Sequence, residues 1–330
     1  MAVSIADIQK LRKMTGAGLS DCKKALTETE GNFDKAVEII REKEQAIAAK
    51  RSDRETSNGC VLVKYADNFG AIVALKCETD FVANGADYIK LTQDILDAAV
   101  AAKAKSLDEV KELTLADGTK VLDAVVARSG ITGEKMELDG YNFIEGENIS
   151  TYDHMGKHTL CTMVQTNKAA EEQAHAIAMQ VAAMKPMFLD EASVSQEFIE
   201  EEKKVAAEKT KQELVQKAVD AALKKAGINP AHVDSEEHME SNMGKGWITA
   251  EDVAKAKEII ATVSAEKAAN LPAQMIENIV KGRINRIYKE NCLLNQEFIQ
   301  DSKLSVADYL KAADKDLTVV DYKRFSLSAD

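Results

Sequence analysis

Between Ser195 and Ala226 the chain sets thirty-two residues in a row without a glycine or a proline, most of them Glu, Lys, Gln and Ala. These are strong helix formers. At 1.5 Å per residue they predict one helix of roughly 45–50 Å. A second helical stretch covers 249–290. It opens on a capping box, Thr249-x-x-Asp252, and breaks near Asn270-Leu271-Pro272. The segment between them, GINPAHVDSEEHMESNMGKG, reads as a turn or mobile tip. Two arrangements fit: a solvated helix pair packed on the body, or a projecting arm through which two copies associate.

The remaining composition agrees with a helix-rich chain. Of 330 residues only three are proline and 5% are aromatic. The length allows two or three compact units with real cores. The formal net charge of −12 repels nucleic acid unless a basic patch is set apart. Residues 1–55 are balanced, with eleven Lys/Arg against ten Asp/Glu, and no pure basic tract follows. The five cysteines (Cys22, Cys60, Cys77, Cys161, Cys292) form no C-x-x-C. An odd, scattered set points to reduced thiols in a cytosol. The opening MAVSIADIQKLRK lacks a basic region followed by an apolar one. No run approaches the ~18 apolar residues that span a bilayer. The expectation is a cytoplasmic protein that touches neither membrane nor nucleic acid directly.

Residues 4–43 predict three short helices. Ser4 and Asp7 box the first, with Ile5, Ile8 and Leu11 on one face. The second buries Leu19, Cys22, Ala25 and Leu26 after the turn at TGAG; the third presents Ala36, Val37, Ile39 and Ile40. A charged tract over 44–58 is a linker, helical in its early part. The pattern then changes to a β-hairpin, 60–65 and 71–77, turning at ADNFG. A helix over 87–102, a helical piece near 119–128 and a strand over 134–145 follow. Residues 147–184 repeat the earlier order of strand, Tyr, Gly-containing turn, strand and helix. Such a repeat predicts two related α+β subdomains facing each other. Residues 292–298 read as a strand, Ser305-x-x-Asp308 caps a short helix, and 318–325 is a last strand.

No motif for chemistry emerges. MGKG at 243–246 lacks the first Gly and the hydroxyl of a phosphate loop, and there is no G-x-S-x-G elbow or strand–helix G-x-G-x-x-G. His154 and His158 are four apart with Cys161 near, but Gly156 puts them in a turn where they diverge, so no metal site is expected. Cys22 lies on an apolar helix face, which favours packing over nucleophilic work. No pair of carboxylates is singled out. The expectation is a binding protein that is not an enzyme and uses no cofactor.

Two strings stand apart. LRKMTGAGLSDCKKAL (11–26) has the bland reading of a helical turn with solvated charges. CETDFVAN (77–84) sets an acid beside a large aromatic just before a helix. Its bland reading is an N-cap by Asp80 or Asn84, with Phe81 folded back as a hydrophobic staple. The two strings in this order resemble the elongation factor Ts family, whose members exchange the guanine nucleotide on elongation factor Tu. HAIAMQVAAMKP (175–186) resembles the family's central helix. The segments from Leu304-Ser305-Val306 to Phe325-Ser326-Leu327 resemble its closing segment. The likeness covers about 1–200 and 270–327.

The resemblance implies an α+β layout. Residues 1–55 form a three-helix domain, similar to ubiquitin-associated domains, with its linker. Residues 56–146 are a first core subdomain. Residues 147–190 and 291–330 are a second, related antiparallel-sheet and helix subdomain. Residues 191–290 are an inserted helical hairpin, used for self-association in some members. By resemblance, Asp80 and Phe81, flanked by Thr79 and Val82, intrude into the GTP-binding domain of elongation factor Tu. Phe81 is the wedge, and the shift disturbs the magnesium and phosphate site. Arg12, Leu19 and Lys23 grip another part of that domain. His175 belongs to the second subdomain, which holds a β-domain of the partner. Three departures stand out. The region 210–270 is longer than in familiar members, with 227–247 as an insertion. Some members continue past Leu327 into a further helix that touches the partner, which here shifts affinity toward the core. Gln180 stands where some relatives carry a second His. Two other readings compete: an adaptor with a ubiquitin-associated-like domain and a coiled-coil arm, and a thiol enzyme using Cys22 or Cys77. An adaptor has no need of the TDFV string.

Overall fold

A computed structural model describes residues 3–328 of the chain. They fall into two compact units. One holds the residues up to Leu189 together with those from Glu297 on; the other is Asp190–Gln296.

The first unit opens with helices α1 (Ile5–Thr15), α2 (Leu19–Glu28) and α3 (Phe33–Ala49). The Ser4–Asp7 capping box is present. Gly16 ends α1 at φ +74°, donating its N–H to the Arg12 carbonyl at 2.7 Å. A side chain would strain that left-handed conformation. Leu11, Cys22, Ala25, Leu26, Ala36 and Ile40 make the small core. Leu19 does not join it. The periodicity placed it in the buried stripe, yet it is 49% exposed, because it is the first helical residue and lies past the end of a core this short.

Strands β1 (Asn58–Ala66) and β2 (Phe69–Cys77) form the expected hairpin. Asp67 and Asn68 both turn at positive φ, as a tight two-residue hairpin loop demands. Then come α4 (Asp80–Ala83), α5 (Ala86–Ala102), α6 (Leu107–Glu112), α7 (Val121–Thr132) and β3 (Met136–Glu145). The short α6 was not foreseen. β3 pairs antiparallel with β2, so β2 is the central strand of a three-stranded sheet. Its two faces are both buried. Ala71, Val73, Leu75 and Cys77 pack with residues of α5, while Ile72 and Ala74 face the other way. This explains why β2 is apolar almost throughout.

Strands β4 (Ile149–Asp153) and β5 (Leu160–Thr166) and helix α8 (Glu171–Met184) follow. The chain then enters the second unit, with α9 (Gln196–Lys225), α10 (Glu236–Gly244), α11 (Ala250–Ala269) and α12 (Ala273–Asn291). It returns through β6 (Glu297–Phe298), β7 (Asp301–Ser305), α13 (Val306–Ala313) and β8 (Val319–Ser326). β8 pairs with β5 to complete a second antiparallel sheet, β4-β5-β8. Ile149, Cys161 and Met163 of this sheet share a buried cluster with Val61, Ile72 and Ala74 of the first. On its other face the Thr162 hydroxyl donates to the Ala178 carbonyl of α8 at 2.8 Å. The unit is thus layered helix, sheet, sheet, helix, and the fold is α+β.

In the second unit α9 is thirty residues long, about 45 Å, and both α11 and α12 pack along it. The Thr249–Asp252 capping box is present. The segment 227–247, read as a turn or mobile tip, is instead folded. Ile228, Val233, Met239 and Ile248 are buried with Val219, Leu223 and Ala256, and the Asn242 amide donates to the His232 carbonyl at 3.1 Å. The ends of the unit are tied where the Asn295 amide donates to the Glu191 carboxylate at 2.8 Å. The strand read over 292–298 shrinks to Glu297–Phe298, because Leu293–Asn295 form a 3₁₀ turn that buries Leu293. Among the described residues, no helix is long and apolar enough to cross a membrane.

One buried carboxylate marks the packing of α3 on α7. Glu44 is 7% exposed, and a Cβ on Gly130 would fall 2.4 Å from its Cγ. Its Oε1 has no hydrogen-bond partner. Burial pushes the carboxyl up to about 7, against the opposing pull of Arg41. A raised carboxyl favours the protonated native state. The contribution of Glu44 to stability is therefore lost as pH rises from the unfolded value near 4.5 through about 7. Glu44→Gln should remove that dependence and stabilise the unit at pH 8 by about 1–3 kcal/mol. Urea midpoints at pH 5 and pH 8 check this, and a variant curve parallel to the wild type refutes it.

Candidate functional site

The TDFV string occupies the exit of the central strand. β2 ends at Cys77, and Thr79 takes an extended conformation before one turn of helix, α4. Thr79, not Asp80 or Asn84, is the N-cap: its Oγ1 accepts the Val82 N–H at 3.3 Å. The turn has an inner and an outer half. Ala83 is buried in the core beneath and Val82 packs partly against it. Asp80 is exposed, and Phe81 is 90% exposed. Phe81 is therefore no staple. Asn84 closes the turn, its side-chain amide donating to the Asp80 carbonyl at 2.8 Å.

What fixes this turn comes from far along the chain. The Glu134 carboxylate accepts the Glu78 N–H at 3.2 Å, the Thr79 N–H at 3.0 Å and the Thr79 hydroxyl at 2.6 Å. In return, the Glu78 carboxylate accepts the Lys135 N–H at 2.6 Å and pairs with Arg54 at 2.9 Å. The Lys135 N–H, with Arg54 and Arg51 beside it, holds Glu78 below the usual carboxylate range. Sequence reasoning missed Glu134 altogether and passed over Glu78 inside its own motif. The only signal was Gly133, which ends α7 in the left-handed region and turns the next residue back.

The N-terminal candidates lie on the three-helix segment. Arg12 on α1 is exposed, and so are Leu19 and Lys23 on α2. Met14, on the same segment, is 58% exposed. The segment approaches α7: a Cβ on Gly16 would fall 2.8 Å from Ile131 Cδ1. The stretch 131–134 thus touches both motifs, Ile131 meeting Gly16 and Glu134 meeting Thr79. His175 is separate, exposed on α8, with its ring edge-on to Tyr152 at 5.6 Å. It borders a groove of about 500 Å³ with Tyr65, Ile149, Thr151 and Glu171. Gln180, by contrast, is fully buried. It bridges the Glu297 carbonyl and the Ile299 N–H at 3.0 and 2.8 Å, so it is part of the core.

The remaining chemistry is quiet. All five cysteines are buried. Burial pushes the Cys22 and Cys77 thiols up, and Cys60 to about 12. Both Cys22 and Cys77 are buried with their thiols pushed toward the protonated form, as packing residues are. His158 Nδ1 meets the Asp153 carboxylate at 2.5 Å, while His154 Nδ1 pairs with the Tyr152 hydroxyl at 3.1 Å. The two rings are engaged with different partners.

A family model described as elongation factor TS matches residues 78–226 and 216–329. The elongation factor Ts of Bacteroides fragilis is 68% identical over 100% of both chains, and that of Bacteroides thetaiotaomicron 66% over the same share. The elongation factor Ts of Porphyromonas gingivalis is 42% identical, again over 100% of both. The long region 210–270 is therefore shared with these relatives rather than peculiar to this chain. The 11–26 string lies outside the family-model match but inside these full-length alignments. With its α+β fold and these full-length likenesses, the chain belongs to the elongation factor Ts family and is a protein of translation elongation.

Proposed function

We propose that this chain is the guanine nucleotide exchange factor for elongation factor Tu, promoting GDP release by disturbing the partner's magnesium and phosphate site. The observation that carries this reading is Phe81, 90% exposed beside an exposed Asp80 on a turn whose inner half is packed down. A phenyl ring left in water gains about 1.5–3 kcal/mol when buried, and the gain is available only against a partner. Leu19 and Met14 offer a second apolar spot near Arg12 and Lys23. In this reading the partner's β-domain is assigned to His175 and the groove beside it.

The energetics call for several contacts. Speeding release about a thousandfold requires roughly 4 kcal/mol of differential stabilisation, at ~1.4 per decade. Phe81 alone supplies less than that. The rest comes from gripping the partner in its nucleotide-free shape, so factor and nucleotide each weaken the other's binding. No bond is made or broken, and no cofactor or metal of this chain takes part. In this reading residues 1–55 and 56–146 engage the GTP-binding domain. Residues 147–190 with 291–330 hold the β-domain, and the 191–290 arm serves association of two copies. The setting is the cytoplasm, without direct contact to nucleic acid or membrane.

The test is stopped-flow release of a fluorescent GDP analogue from elongation factor Tu with excess unlabelled GDP. Release should accelerate strongly with this chain present. Arg12→Ala should raise the factor concentration needed by a few-fold and leave the maximal rate near wild type. No acceleration with a matched partner would return the chain to the adaptor reading.

A further inference from the structure

We infer that Glu134 is a positioning residue: it holds the Thr79–Ala83 turn in the free protein, so that Phe81 is presented before any partner arrives. The inference rests on the exchange-factor reading for its purpose and on geometry for its substance. A single four-residue turn of helix is not stable by itself. The Phe81 ring is almost wholly in water, so its position is set by its backbone alone. Val82 and Ala83 anchor the far end of the turn, and the near end depends on Glu134.

The arrangement of hydrogen bonds shows how. Two backbone N–H groups, of Glu78 and Thr79, point at one carboxylate oxygen, and the Thr79 hydroxyl donates to the other. With its proton committed to Glu134, the hydroxyl turns a lone pair toward the Val82 N–H and caps the helix. One charged group thus aligns the cap and the residue before it. Charge-assisted bonds of this kind are about twice as strong as neutral ones. Glu134 is itself held. The Ser129 hydroxyl donates to its carbonyl at 2.5 Å, and its N–H donates to the Thr132 hydroxyl at 3.3 Å. The reciprocal bond from the Lys135 N–H to Glu78 locks the two segments side by side. Arg51 and Arg54, from the stretch after α3, close the bracket on Glu78.

Glu134→Ala and Glu134→Gln are compared with wild type in two measurements. The first is amide hydrogen exchange of the free chain. The second is GDP release from elongation factor Tu, titrated with factor. In Glu134→Ala the Glu78 and Thr79 amides should exchange at least about tenfold faster, ~1.4 kcal/mol, while those of Ile72–Leu75 keep their protection. The half-saturating factor concentration should rise about tenfold, more than the maximal rate falls, because the turn now orders only in the complex. Glu134→Gln keeps acceptor oxygen for the N–H groups and should recover most of both losses.

Unchanged protection at Glu78 and Thr79 in Glu134→Ala overturns the inference. So does lost protection with unchanged stimulation, or a loss that spreads through the sheet. A wild-type chain that fails to accelerate release overturns the exchange reading instead. The amide measurement then still decides whether Glu134 holds the turn.

Discussion

Phe81→Ala is expected to lower the stimulated rate of GDP release by about 10- to 100-fold while leaving the protein as stable as before. The magnitude follows from ~1.5–3 kcal/mol for burying the ring divided by ~1.4 per decade. The indifference of the fold follows from exposure. At 90% exposed, the ring gives up almost no native packing when truncated. Surface changes away from caps and buried groups stay within about ±0.5 kcal/mol, and alanine is the better helix former at that position. Stopped-flow release and a thermal melt on the same preparation check both halves. A variant that melts early would make Phe81 a structural residue after all. A variant that stimulates like wild type would move the site elsewhere.

Phe69→Ala should do the reverse, costing the first unit about 3–5 kcal/mol of stability. Phe69 begins the central strand, is fully buried and stacks on Phe143 with centroids 5.6 Å apart and planes 7° from parallel. Its backbone is paired on both sides, to Ala66 and to Glu145. Truncation loses the buried apolar surface, leaves a cavity in a strand paired on both sides, and forfeits the stacking. Against a total of about 5–15 kcal/mol, that is a large share. Urea unfolding followed residue by residue through amide exchange separates the units. Protection should fall across β1, β2 and β3, yet persist at Val219, Leu223 and Met239, which belong to a different cluster. A loss below about 1 kcal/mol would show that the hairpin end tolerates the hole.

Local rules made part of this molecule readable in advance. The long helix α9 followed from a tract without breakers, and the caps at Ser4, Thr249 and Ser305 from an acid three residues on. The β1–β2 hairpin followed from a change of period around a turn. What stayed hidden was decided by distant neighbours. Periodicity put Leu19 on the stripe of Cys22 and Leu26 but gave no sign of where the core beneath it stops. Thr79, Asp80 and Asn84 are all competent caps, and the one that caps is Thr79, whose hydroxyl is bonded to Glu134, 55 residues away. The polar, glycine-bearing look of 227–247 concealed three apolar residues, Ile228, Val233 and Met239, whose irregular spacing converges on one cluster. The apolar residues of 292–298, Cys292 to Leu294 and Phe298, were too few to tell a strand from a buried turn. The exposure of Phe81 has no signature in composition, and only the family resemblance pointed to it.

The bond between Glu191 and Asn295 has a consequence for the order in which the newborn chain acquires its shape. The first sheet is complete once Glu145 has been made, but the second waits for β8, and β5 and β8 are bridged by a long excursion. At about 5–20 residues per second, β5 stands as an open edge for on the order of ten to thirty seconds. An unstructured excursion of that length would also make the final strand slow to find its place. Because the intervening unit folds around its own cores and ties its two ends together, it returns the chain close to where it left. The loop that β8 must close then shrinks to roughly a third. By the logarithmic dependence of closure entropy, that lowers the cost by ~1 kcal/mol. The excursion acts as a clasp, letting the last strand to leave the ribosome arrive beside a partner made long before it.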